Sequence, residues 1–97
     1  MIKVNVSKDK IEISGHSGYD IIGKDIVCSA VSSIVITTVN GIISICDDAI
    51  YYENNDSGMF IKINKHDLVV DKLIDNMIDL LKSLSKDYPK NINVKER

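Results

Sequence analysis

The chain has 97 residues with 44% hydrophobic content, enough for one modest core and too little for two. Its formal net charge is -2, with Lys and Arg dispersed among Asp and Glu, so it lacks the basic field that direct nucleic-acid binding requires. The start of the chain carries no charged n-region, apolar h-region and cleavage site, so its two cysteines are expected reduced in a cytoplasmic protein, without a structural disulfide.

Aromatic residues make up only 5% and Trp is absent, so Ile and Val must fill the interior. Ile2 to Val6 alternates apolar and polar residues, Ser7 to Lys10 supplies a turn, and Ile11 to Ile13 resumes the alternation. That pattern predicts a hairpin of half-buried strands. Gly15, Gly18 and Gly23 then break any regular pattern, so Gly15 to Lys24 reads as a flexible loop with a functional purpose.

Asp25 suits an N-cap, and the segment Ile26 to Cys46 that follows has no charged residue. A membrane span is the first alternative for a stretch of this length. Ser29, Ser32, Ser33, Thr37, Thr38, Asn40 and Ser44 make it too polar for a lone lipid-facing helix. Two buried strands broken at Asn40-Gly41 are the second alternative, since Ile and Val are frequent. The spacing of Ile26, Val27, Ala30, Val31, Ile34 and Val35 favours a helix with its polar residues largely on the other side. So apolar a helix calls for cover on more than one side: a sheet on one flank and a partner on another.

Ala49 to Glu53 and Met59 to Asn64 read as a second hairpin around the turn formers Asn54-Asn55-Asp56-Ser57-Gly58. From Leu68 to Leu84 the apolar residues recur at helical spacing with Asp and Lys between them, an amphipathic helix. After Pro89, Ile92 and Val94 alternate with polar residues as a last strand. The expected architecture is a single α+β domain over residues 1–97, a mostly antiparallel sheet with two helices in the order ββαββαβ.

Chemistry concentrates between the second strand and the first turns of the first helix. With Asp25 as cap, Cys28 lies in the first turn of the helix, where unpaired backbone N–H groups and the positive end of the helix dipole favour a thiolate. His16 sits in the glycine-punctuated loop, from which its imidazole can fold back toward the sulfur. A Cys–His pair attacks a carbonyl as thiolate and protonates the leaving amine as imidazolium. The plainer readings are a buried small hydrophobe for Cys28 and a solvated loop residue for His16.

Asp25 has two readings, a helix cap or a carboxylate orienting His16. Ser32, one turn beyond Cys28 on the same face, can hydrogen-bond near the thiolate or to a carbonyl of its own helix. Backbone N–H groups at the helix start, that of Cys28 included, are the expected oxyanion hole.

Cys28 and Cys46 lie about 27 Å apart on a continuous helix, which rules out a shared metal or a mutual disulfide. Neither a metal nor another cofactor is expected. Cys46 reads as core packing and His66, beside Lys65 and Asp67, as a surface residue.

The runs Gly15-His16-Ser17-Gly18-Tyr19 and Gly23-Lys24-Asp25-Ile26-Val27-Cys28-Ser29-Ala30-Val31-Ser32 resemble the signature of the ribosomal-processing cysteine protease Prp family. The chain length, the order of elements and Tyr88-Pro89 before the last strand fit it more generally. The resemblance implies a bacterial, cytoplasmic, homodimeric endopeptidase that removes the N-terminal extension of large-subunit ribosomal protein twenty-seven. It implies His16 and Cys28 as the catalytic pair, Asp25 and Ser32 in support, and a glycine loop that moves when substrate binds. It further implies an apolar pocket near Cys28 for aromatic residues before the scissile bond, with Tyr19, Ile21 and Ile22 as the loop's candidates to line it. A non-catalytic peptide-binding protein of ribosome assembly is the competing function, and a redox-sensing thiol protein a third.

Overall fold

A computed structural model describes residues 1–16, 18–21 and 25–97. The elements are β1 (Ile2–Val6), β2 (Lys10–Ser14), α1 (Ile26–Ile45), β3 (Ile50–Asn55), β4 (Gly58–Ile63), α2 (Leu68–Asp87) and β5 (Ile92–Glu96). The strands form one sheet in the order β3-β4-β2-β1-β5. Neighbours are antiparallel except β1 and β5, which pair in parallel with Ile2 opposite Ile92 and Val6 opposite Glu96. The sheet is therefore mixed. The parallel pair arises because the chain leaves β4 through the α2 crossover, and such a connection returns the next strand in the same direction.

Alternation decides which face of the sheet is covered. Ile2, Val4, Ile11, Ile13, Ile50, Ile61, Ile63 and Ile92 all lie on the buried face, under both helices. Val27, Val31, Val35, Val39 and Ile42 of α1 and Val70, Ile74, Met77, Ile78 and Leu81 of α2 complete the core. Each such aliphatic side chain, fully buried, stabilises the fold by roughly 1.5–3 kcal/mol.

By length and composition α1 is apolar enough to cross a membrane. One side of it is spent on the core, and the other exposes Ser29, Ser33, Thr37, Asn40 and Ser44 beside Ile26, Ile36 and Ile43. The polar half of that stripe suits water or a protein partner better than lipid.

Candidate active site

The site lies at one end of the sheet, beneath the first turns of α1. β2 ends at Ser14, and Gly15 follows with φ +88°, a conformation that disfavours side chains bearing a Cβ. A Cβ on Gly15 would also collide with the backbone carbonyl oxygen of Met1. Gly15 is thus a close-packing glycine, and it fixes the chain so that His16 emerges two residues past the end of a core strand. Gly18, at φ +69°, has open space around it. Gly23 and Ile22 lie outside the described residues.

Cys28 is the third residue of α1, half-buried and packed against the core. It and His16 line one cavity of about 340 Å³ together with Ser32. The apolar floor of this cavity is Ile2, Ile13 and Val31, and its far wall is the tip of the β3–β4 hairpin, Asn54 to Met59. The turn itself is shorter than the sequence suggested, Asp56-Ser57, because Asn54 and Asn55 extend β3 and Gly58 opens β4. That turn is held close by Gly58, at φ +126°, where a Cβ would collide with the carbonyl oxygen of Ile13.

Asp25 is buried at 6% exposure. Its Oδ1 accepts from the backbone N–H of Val27 and of Cys28, both at 3.0 Å. Its Oδ2 accepts from the N–H of Tyr19 at 3.2 Å and of Asp20 at 3.3 Å. Four donors suit an ionised carboxylate, which only accepts. These bonds make Asp25 the cap of α1 and give it a second role the sequence did not disclose: it ties the loop to the helix start. The same bonds correct the expected oxyanion hole, because the Cys28 N–H is already donated to the cap.

Ser44 and Ser85 bond carbonyls one turn back in their helices, Oγ to Gly41 O at 2.7 Å and Oγ to Lys82 O at 2.6 Å. Ser32, half-buried in the cavity wall, makes no such bond among the described residues. Its hydroxyl remains available to whatever occupies the cavity.

Tyr19 and Ile21 do not line the cavity. The ring of Tyr19 meets that of Tyr88 edge-on, centroids 5.4 Å apart, and Ile21 is 65% exposed. The walls come instead from Asn54, Asn55, Asp56, Ser57 and Met59, which the sequence presents only as turn formers and strand. An unusually dense polar turn closed by a glycine is the one signal that marked them.

Cys46 and His66 lie away from this cavity. Cys46 caps the far end of α1, and its Sγ donates to Asp48 at 3.1 Å. That bond to a carboxylate pushes the thiol above its ordinary pKa. His66 bridges Asp9 and Asp71. Among the described residues, no three His, Cys, Asp or Glu side chains gather as a metal site.

The family model for cysteine protease Prp matches residues 1–93. The fold is shared with a ribosomal processing protease Prp from S. aureus bearing a covalently linked product peptide, with TM-score 0.92, 21% identity and 100% of each chain covered. It is shared with SMU.848 from Streptococcus mutans, at TM-score 0.81 and 26% identity over 99% of this chain and 93% of that one. The S. aureus protease in complex with a substrate peptide is similar at TM-score 0.80 and 22% identity, over 100% of both chains. No curated protein matches. With the family match running almost end to end, and a histidine and a helix-start cysteine lining one cavity, the chain belongs to the Prp family of cysteine proteases.

Proposed function

We propose that this protease removes the N-terminal extension of large-subunit ribosomal protein twenty-seven, with Cys28 as nucleophile and His16 as general acid and base. The observation that carries the assignment is that His16 and Cys28 line the same cavity. The S. aureus protease has been solved with a substrate peptide and with a covalently linked product peptide, which supports a peptide as the occupant here.

His16 takes the proton from the Cys28 thiol, and the thiolate sulfur attacks the scissile carbonyl carbon. The imidazolium then protonates the leaving amine, which departs as the new N-terminus of the ribosomal protein. The extension stays on Cys28 as a thioester. Water, deprotonated by His16, attacks that thioester and releases the extension as a carboxylate with the thiol restored. Ser32, in the cavity wall, supports the reacting groups, and Asp25 holds the helix start that presents the sulfur.

The deciding experiment incubates the protein with the extended ribosomal protein of the same organism and measures the intact masses of both products. Wild-type chain yields the extension and the shortened protein. Cys28→Ala and His16→Ala, folded as judged by circular dichroism, yield neither. Full cleavage by Cys28→Ala refutes the assignment, and stable binding without product favours a peptide-binding protein.

The enzyme acts in the cytoplasm as a homodimer on this reading. The uncharged outer side of α1 supports the dimer: Ile26, Ile36 and Ile43 are 54%, 40% and 40% exposed, with no charged residue anywhere on the helix to oppose a second copy. Sedimentation of wild-type chain as a dimer and of Ile36→Glu as a monomer is the expected result.

A further inference from the structure

β3 is the terminal strand on one side of the sheet, and its last two residues, Asn54 and Asn55, line the cavity that holds Cys28. Antiparallel pairs alternate between residues that exchange both backbone bonds and residues that exchange none. Just before β3, the Ala49 carbonyl accepts from the Asn64 N–H at 2.8 Å, and the register continues from Ile50 opposite Ile63 to Asn55 opposite Gly58. Tyr51, Glu53 and Asn55 therefore bond to β4, while the N–H and C=O groups of Ile50, Tyr52 and Asn54 point away from it, toward the open edge.

Exposed edges are usually blunted by lysine, proline or a short strand. β5, the opposite edge, carries Lys95 and Glu96, with Glu96 paired to Lys82 of α2 at 2.9 Å. β3 has six residues, Ile-Tyr-Tyr-Glu-Asn-Asn, with one charge and neither lysine nor proline. The unguarded edge is the one that runs into the cavity.

We propose that the substrate peptide docks as an added strand on the β3 edge, bonding the outward groups of Tyr52 and Asn54 and entering the cavity beside Cys28. Edge addition takes affinity from main-chain bonds and leaves specificity to alternate side chains. Here those on the helix side reach the cavity and those on the other side meet Tyr51, which is 50% exposed. The inference rests on the protease reading and adds how the peptide is held.

The test uses synthetic peptides spanning the cleavage junction, each N-methylated at one residue at least two positions from the scissile bond. Edge pairing predicts a period of two on one side of that bond: methylation at alternate residues lowers kcat/KM about tenfold, the loss of one main-chain bond, and intervening positions stay within about twofold. In the protein, Asn54→Pro deletes an outward N–H that β4 does not use, whereas Asn54→Ala removes only the side chain. Asn54→Pro is expected to lower kcat/KM about tenfold below Asn54→Ala with the melting temperature of both recorded. If Asn54→Pro does not fold, the peptide series decides alone. A series without period two overturns edge docking, as does loss of the dimer in Asn54→Pro with a flat series, which assigns the edge to a second copy. An uncleaved parent peptide overturns the protease reading itself.

Discussion

The Asp25 carboxylate accepts the backbone N–H of Cys28 at 3.0 Å, so the donor nearest the proposed nucleophile is already engaged before any substrate arrives. The same carboxylate holds Val27, Tyr19 and Asp20, which makes it the junction between loop and helix. Replacing a capping carboxylate with alanine costs about 1 kcal/mol, or roughly 4–8 °C in a domain of this size. Asp25→Ala is expected to show at least that loss by calorimetry, together with reduced cleavage, because the loop and the helix start come apart. An unchanged melting temperature would show that the cap does not hold the helix.

The two cysteines are expected to react unequally. The hydrogen bond from Cys46 to Asp48 raises that thiol's pKa and lowers its thiolate fraction at neutral pH, while the Asp48 carboxylate is itself kept ionised by Lys65 at 2.7 Å. Iodoacetamide at pH 7 should label Cys28 before Cys46 by peptide mass mapping. Asp48→Asn should speed labelling of Cys46 and leave Cys28 unaffected.

His66 gives the fold a pH-dependent clasp between the β1–β2 turn and α2. Its Nε2 faces Asp9 at 2.8 Å and its Nδ1 faces Asp71 at 2.9 Å, and only the imidazolium donates from both nitrogens. The bond to Asp9, then that to Asp71, raises the His66 pKa above its ordinary 6.5. A histidine with a raised folded pKa contributes stability that is complete below the unfolded value and is lost as pH climbs through the folded one. The melting temperature of wild-type chain should exceed that of His66→Gln most near pH 6 and converge with it toward alkaline pH. A constant difference would mean that the clasp does not titrate.

Gly15 and Gly18 should separate under the same substitution. Both have positive φ, where an alanine costs on the order of 1–2 kcal/mol, but only Gly15 would drive a Cβ into the Met1 carbonyl. Gly15→Ala is expected to lower the melting temperature clearly more than Gly18→Ala and to displace His16. Equal losses would remove the close contact from the account of how His16 is held.

The sequence disclosed what local chemistry determines. Asp25 caps α1, Ile26 starts it, and the uncharged run ends within a residue of the expected Cys46. The alternation in Ile2–Val6 and Ile92–Glu96 marked both as strands, yet their parallel pairing depends on where the α2 crossover returns the chain, which no local pattern encodes. His16 and Cys28 carried the site because their residue types and glycine context have chemical meaning by themselves. The wall formed by Asn54 to Met59 has no such meaning until β4 pairs with β2 and brings the turn beside Ile13. Tyr19 went the other way, since an aromatic residue beside the candidate histidine invites a pocket role, and its ring is instead engaged by Tyr88 from the end of α2.

The pairing of β1 with β5 ties the site to the far end of the chain. Ile2 forms part of the cavity floor, and its N–H is held by the carbonyl of Asn91 at 2.9 Å while its strand partner is Ile92. His16 and Cys28 lie in the first third of the chain, but the floor beneath them is anchored by residues about ninety positions from Ile2, among the most distant contacts in sequence that the fold makes. A chain truncated before Asn91 would retain both side chains of the proposed catalytic pair and lose the strand beside the floor they share. Competence to cleave therefore depends on the last strand as well as on the two side chains.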